Sequence, residues 1–127
     1  MAGKGVEAAA ALPSTFASAG EARSLVRDTA ETVLAGEALA TVELLTSEVV
    51  TNAVQHGGGT PVVKVALRGR TVRVSVEDSS RRWPTRCHVN ETALSGRGVA
   101  LVDMFASSWG VEVLPDVGKR VWFEVRG

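Results

Sequence analysis

The chain has 127 residues, 45% of them apolar and 22% charged, with 14 Lys plus Arg against 14 Asp plus Glu. These proportions fit one globular domain and exclude a disordered chain, while the zero net charge removes the long-range attraction that non-specific nucleic-acid binding relies on. The single cysteine, Cys87, cannot close an internal disulfide and fits a reducing compartment, and no apolar run approaches the ~18 residues of a membrane span. The Ala-rich start lacks the basic head and Leu/Val core of a signal peptide, so a cytoplasmic domain without nucleic-acid or membrane partners is expected. Charge is unevenly placed. Glu21 to Glu48 holds six acids against two arginines, a balance of −4, and Arg68 to Arg97 holds seven arginines against three acids, a balance of +4. The basic stretch is either a solvated surface or a region that receives an anion or an acidic partner.

Residues 1–20 are small, weakly patterned and broken by Pro13, which predicts a poorly ordered segment with at most a short edge strand around Ala10 to Ser14. From Glu21, the apolar residues Ala22, Leu25, Val26, Ala30, Val33 and Leu34 recur at helical steps, with Gly36 as a stop. A second helix is expected from Glu37 to His56, ended by Gly57-Gly58-Gly59 and Pro61. Alternation then predicts a hairpin of 63–67 and 71–77 around Gly69-Arg70. Residues 79–95 have no period, and loops of such length in small domains are usually functional. A third helix is expected over 98–106, and strands over 109–113 and 121–125. This order predicts an α+β sandwich with helices on one face of a largely antiparallel sheet.

Glu48, Asn52 and His56 lie four residues apart on the second helix, a stripe that drifts only about 40° per step and borders the apolar side. The stripe is either a solvated rim or a hard-cation site in which Asn52 offers an amide oxygen to Mg²⁺ and Glu48 addresses a nucleophile. Asp78 ends a buried strand. It can cap a turn, or accept a hydrogen bond from an exocyclic amine such as adenine's. Ser95-Gly96-Arg97-Gly98 opens the third helix, where free N–H groups, the helix dipole and Arg97 favour an anion, although the same residues also suit an ordinary N-terminal turn. Trp109, Trp122 and Phe123 read as sheet packing, and Cys87-His88 has no companion ligands for a metal.

Taken in order, these segments resemble the GHKL ATPase superfamily. Residues 44–56 (LLTSEVVTNAVQH) resemble its N box, Val76-Glu77-Asp78-Ser79-Ser80 its first glycine box, and Gly96-Arg97-Gly98-Val99-Ala100-Leu101-Val102 its second. Ser108-Trp109-Gly110 and Gly118 to Val125 are similar to its closing strands. The resemblance runs from Glu21 to Gly127 and is nearest to small stand-alone actinobacterial ATP-binding proteins akin to anti-sigma-factor serine kinases. It implies a Bergerat-type two-layer α/β sandwich, with helices on one face of a mixed, mostly antiparallel sheet. It also implies ATP and Mg²⁺ as cofactors: Asn52 to the metal, Glu48 as general base, Asp78 to the adenine amine, and Gly96, Arg97 and Gly98 to the phosphates. Ser80, Val99 and Lys119 complete the implied nucleotide contacts, and residues 79–95 become the ATP lid. Ser80 stands where many members have glycine, and Arg120 where this family usually has a threonine that supports adenine through water.

The function this implies is an ATP- and Mg²⁺-dependent serine/threonine protein kinase of the anti-sigma class, acting on a small antagonist protein and engaging a sigma factor. Relatives often form dimers, so a homodimer is among the assemblies the resemblance allows. The alternatives are a non-catalytic ATP-binding regulatory module, or the detached ATPase domain of a two-component histidine kinase. The sequence shows no preceding helical hairpin with a phosphoacceptor histidine, and 127 residues leave no room for the further domains of a gyrase or chaperone.

Overall fold

A computed structural model describes residues 6–56, 60–78, 96–115 and 118–127 of the chain. The elements run β1 (Val6–Ala11), α1 (Ser18–Ala30), α2 (Gly36–His56), β2 (Val62–Arg68), β3 (Thr71–Asp78), α3 (Gly96–Phe105), β4 (Ser108–Leu114) and β5 (Gly118–Arg126). The five strands form one sheet in the order β1-β2-β3-β5-β4, and every pairing between them is antiparallel. The architecture is the expected α+β one, with a sheet that is antiparallel throughout instead of mixed. β1 is an edge strand paired with β2, lying earlier in the chain than the 10–14 expected from sequence. The alanines there carry no periodic signal, so the ladder to β2 is what defines the strand.

Alternation sets the core. Val72, Val74 and Val76 of β3, and Val121, Phe123 and Val125 of β5, all point to one buried face. Against that face lie Val42, Leu45, Val49 and Val50 of α2, with Ala22, Val26 and Ala30 of α1 beside them, α1 also packing on β1 and β2. α1 packs along α2, and α2 packs on both β3 and β5. Phe123 is fully buried near the middle of this layer. Truncating such a side chain to alanine costs about 3–5 kcal/mol, through lost transfer energy and the cavity left behind.

The turn between the first two helices corrects the sequence expectation. α1 stops at Ala30, where the Glu31 N–H bonds the Arg27 carbonyl, so Val33 and Leu34 lie beyond the helix, although Leu34 still reaches the core. Gly36 does not end α1. It opens α2 with φ 57°, a left-handed conformation that a side chain would disfavour, and so sets the angle at which α2 leaves the turn. At its other end, residues 57–61 link α2 to β2, whose first residue Val62 stands opposite Glu77. α2 therefore runs out at the end of the sheet where β3 stops.

Candidate functional site

Five polar side chains are buried among the described residues: Ser18, Thr46, Asn52, Asp78 and Lys119. Two have local structural tasks. The Ser18 hydroxyl donates to the Pro13 carbonyl at the start of α1, and Thr46 donates to the Val42 carbonyl one turn back on α2 at 2.7 Å. The other three are all residues that the sequence assigns to a nucleotide site. Each is engaged by neighbours, and no buried side-chain nitrogen or oxygen among the described residues lacks a partner.

Asp78 is the last residue of β3 and continues the inward-facing row of Val72, Val74 and Val76. Its register partner on β5 is Lys119, which continues the row of Val121 and Phe123 in the same way. The two meet as an ion pair. Lys119 Nζ donates to Asp78 Oδ2 at 3.0 Å, with the Asp78 side chain 4% exposed and that of Lys119 10%. An acceptor and a donor thus stand side by side where the apolar layer ends. A buried pair of this kind carries a large desolvation cost, so its presence points to a use beyond stability.

Asn52 is 3% exposed on α2, and Glu48, one turn earlier, is half-buried and also engaged. Among the stripe's described side chains Asn52 lies in the core, which decides against a fully solvated rim. α2 covers β3 and β5, so these two side chains sit on the helix that overlies the Asp78–Lys119 strands. His56 is the last residue of α2, and its side chain lies outside the described residues. Gly96, Arg97, Gly98 and Val99 form the first turn of α3, a helix that packs on α2. Ser80, the 79–95 lid, Cys87 and His88 lie outside the described residues.

Arg120, at the position the resemblance gives to a threonine, has its own partners. Strand parity turns it to the opposite face of the sheet, where its guanidinium donates twice to Glu77 Oε2, at 3.1 and 2.9 Å, and once to Glu112. Lys119, not Arg120, stands beside Asp78. Two residues inward along each strand, Val76 pairs with Val121, so alternation puts Asp78 and Lys119 on the covered face and the strand register makes them neighbours.

That outer face carries a charge network the sequence reading missed. Lys64 bonds Glu77 at 3.2 Å, Arg73 bonds Glu124 at 3.1 Å, and Ser108 also donates to Glu124. Partial burial would raise the Glu77 carboxyl. Hydrogen bonds from Arg120 and Lys64, with their charges, outweigh it and hold the group below its ordinary value of 4.5. The hydrogen bond to Glu77 in turn raises Arg120, against the opposing effect of burial. A depression of about 230 Å³ lies here, lined by Lys64, Ala66, Arg73, Ser75, Glu77 and Arg120. It is on the other side of the sheet from Asp78 and Asn52, so it is not where the predicted site residues gather.

The sequence profile of the histidine kinase-like ATPase domain matches residues 12–124, and the chain belongs to that family. No curated protein is a significant match. Among solved structures, the chain is similar to the blue-light activated histidine kinase of Erythrobacter litoralis EL346, with 27% identity and a TM-score of 0.56 over 84% of this chain and 40% of that one. It is likewise similar to the histidine kinase domain of the same protein, with 27% identity and a TM-score of 0.55 over 87% of this chain and 60% of that one. The chain thus spans less than two-thirds of either. ATP binding is expected for a domain of this family. Among the described residues no helix is long and apolar enough to cross a membrane.

Proposed function

We propose that the chain binds ATP between α2 and the β3–β5 end of the sheet and delivers its γ-phosphoryl group to a protein acceptor, as the ATP-binding half of a two-component histidine kinase would. The observation that carries this reading is the placement of buried Asn52, with Glu48 one turn away, on the helix that overlies the strands ending in Asp78 and Lys119. Asp78 would accept from the adenine amine. The first turn of α3, with Arg97, would receive the phosphates through N–H groups and charge.

Mg²⁺ fits this donor set. No group of three or more His, Cys, Asp or Glu that could hold a metal occurs among the described residues, so the ion would depend on the nucleotide for most of its ligands. That is how Mg²⁺ is ordinarily held beside phosphates, with one or two protein oxygens, here the Asn52 amide. Bound there, it would supply positive charge against the transferring phosphoryl group. Glu48 would hold the acceptor in line, and would take its proton where that acceptor is a hydroxyl.

A second reading, a serine/threonine kinase of the anti-sigma class acting on a small antagonist protein, is favoured by Glu48 itself. A hydroxyl must lose its proton to attack, whereas a neutral imidazole attacks through a nitrogen lone pair. Incubation with radiolabelled ATP and candidate acceptor proteins tests both. Label that survives alkali but not acid marks phosphohistidine and the first reading; label stable to acid marks a hydroxyl acceptor and the second. ATP binding with no transfer to any acceptor leaves a regulatory binding module.

A further inference from the structure

We infer that Lys119 reads the adenine ring directly, donating to N1 while Asp78 accepts from the N6 amine, so that the ion pair acts as a two-point selector for adenine. The inference rests on the nucleotide reading above and deepens it. Asp78 Oδ2 and Lys119 Nζ stand 3.0 Å apart on neighbouring strands, both side chains almost wholly buried and both on the helix-covered face. An ammonium has three donors and no acceptor, and a carboxylate has about four acceptor sites and no donor, so each can hold its partner and a ligand atom together.

The pair therefore presents an adjacent acceptor and donor to whatever base lies against it. Adenine matches, since its N6 amine donates and the neighbouring N1 accepts. Guanine and hypoxanthine reverse the order, with O6 as acceptor and N1–H as donor. In the same pose they would set O6 against the carboxylate and a proton against the ammonium. Sites built from buried polar groups reject ligands that leave those groups unpaired far more strongly than apolar pockets reject a change of shape.

N7 is the other acceptor beside N6, but it lies in the five-membered ring with the glycosidic nitrogen. The base edge farthest from the ribose carries N6 and N1. A pair buried at the end of the Val76–Val121 row meets that far edge. Lys119 is thus a specificity-determining residue, and the ion pair positions both groups before the nucleotide arrives.

Calorimetric titration of the parent protein with ATP, 1-deaza-ATP, 7-deaza-ATP and GTP, each with Mg²⁺, tests this. ATP and 7-deaza-ATP should bind alike, and 1-deaza-ATP roughly tenfold or more weakly, the usual worth of a hydrogen bond from a charged donor. GTP should bind more weakly still. Lys119→Met should bind ATP and 1-deaza-ATP equally, both at the weaker level, and should discriminate less against GTP. The parent comparison needs no variant, so it decides the matter even if Lys119→Met does not fold. Equal affinity of the parent for ATP and 1-deaza-ATP overturns the inference, as does a selective loss for 7-deaza-ATP, while ATP binding itself stands. If no nucleotide binds the folded protein, the nucleotide reading fails and takes the inference with it.

Discussion

Arg73 lies over the indole of Trp122, its guanidinium carbon 4.0 Å from the ring centroid. The same indole extends across β4 at Gly110, its register partner, so closely that an added Cβ there would stand 2.9 Å from three ring atoms. The outer face of the sheet is thus closed around one tryptophan: a cation above it and a bare backbone below. Gly110→Ala should destabilise by about 1–3 kcal/mol, because the ring must leave its seat and its contact with Arg73. In a Trp122→Leu background the same change should cost much less. Urea midpoints of the four proteins check this, and equal costs in both backgrounds would count against the packing account.

Asp78→Asn keeps an acceptor oxygen but removes the charge opposite Lys119 and places a donor toward the base. ATP affinity should fall roughly tenfold or more, the loss of a hydrogen bond to a charged acceptor. Titration calorimetry on the folded variant reads this directly. Unchanged affinity would remove Asp78 from nucleotide recognition.

Glu48 and Asn52 share one helix face but should fail differently. Glu48→Gln should retain ATP binding while phosphoryl transfer falls by roughly 10²–10⁴-fold, the usual contribution of a general base. Asn52→Ala should lose Mg²⁺-dependent binding and transfer together. Parallel binding and transfer assays separate the two, and a Glu48→Gln variant that transfers at the parental rate removes Glu48 from the chemistry.

The outer network makes stability respond to acid. Glu77 has a folded-state value below the 4.5 of an ordinary glutamate, so its contribution is complete above that value and fades as pH falls through the lower one. Melting temperature should therefore drop more steeply below about pH 4.5 in the parent than in Glu77→Gln, where the group no longer titrates. Parallel pH–melting profiles would dismiss the effect.

The fold was legible where periodicity was strong. The 3.6-residue pattern of α2, the alternation of β2 and β3, and the glycines after His56 placed those elements nearly as they stand. β1 was obscured because a run of alanines suits strand, helix or coil equally, and only pairing with β2 decides it. The end of α1 was misplaced because Val33 and Leu34 keep the helical spacing of apolar residues after the helix has turned, Leu34 being held by the core. At the site, Asn52 and Asp78 could be found from their neighbours in sequence. The bond between Asp78 and Lys119 could not, since it joins residues far apart in the chain through strand register. The side on which Arg120 stands has the same origin: a shift of one position on a strand exchanges the two faces of the sheet.

The pairing of Asp78 with Lys119 also sets a trade between durability and use. Replacing a buried ion pair with well-packed apolar residues is often neutral or stabilising, by about 1–4 kcal/mol. Asp78→Val with Lys119→Val would extend the apolar rows of both strands by one step and should raise the melting temperature while removing the proposed adenine selector. On the nucleotide reading proposed above, retaining the two charges concedes robustness to recognition.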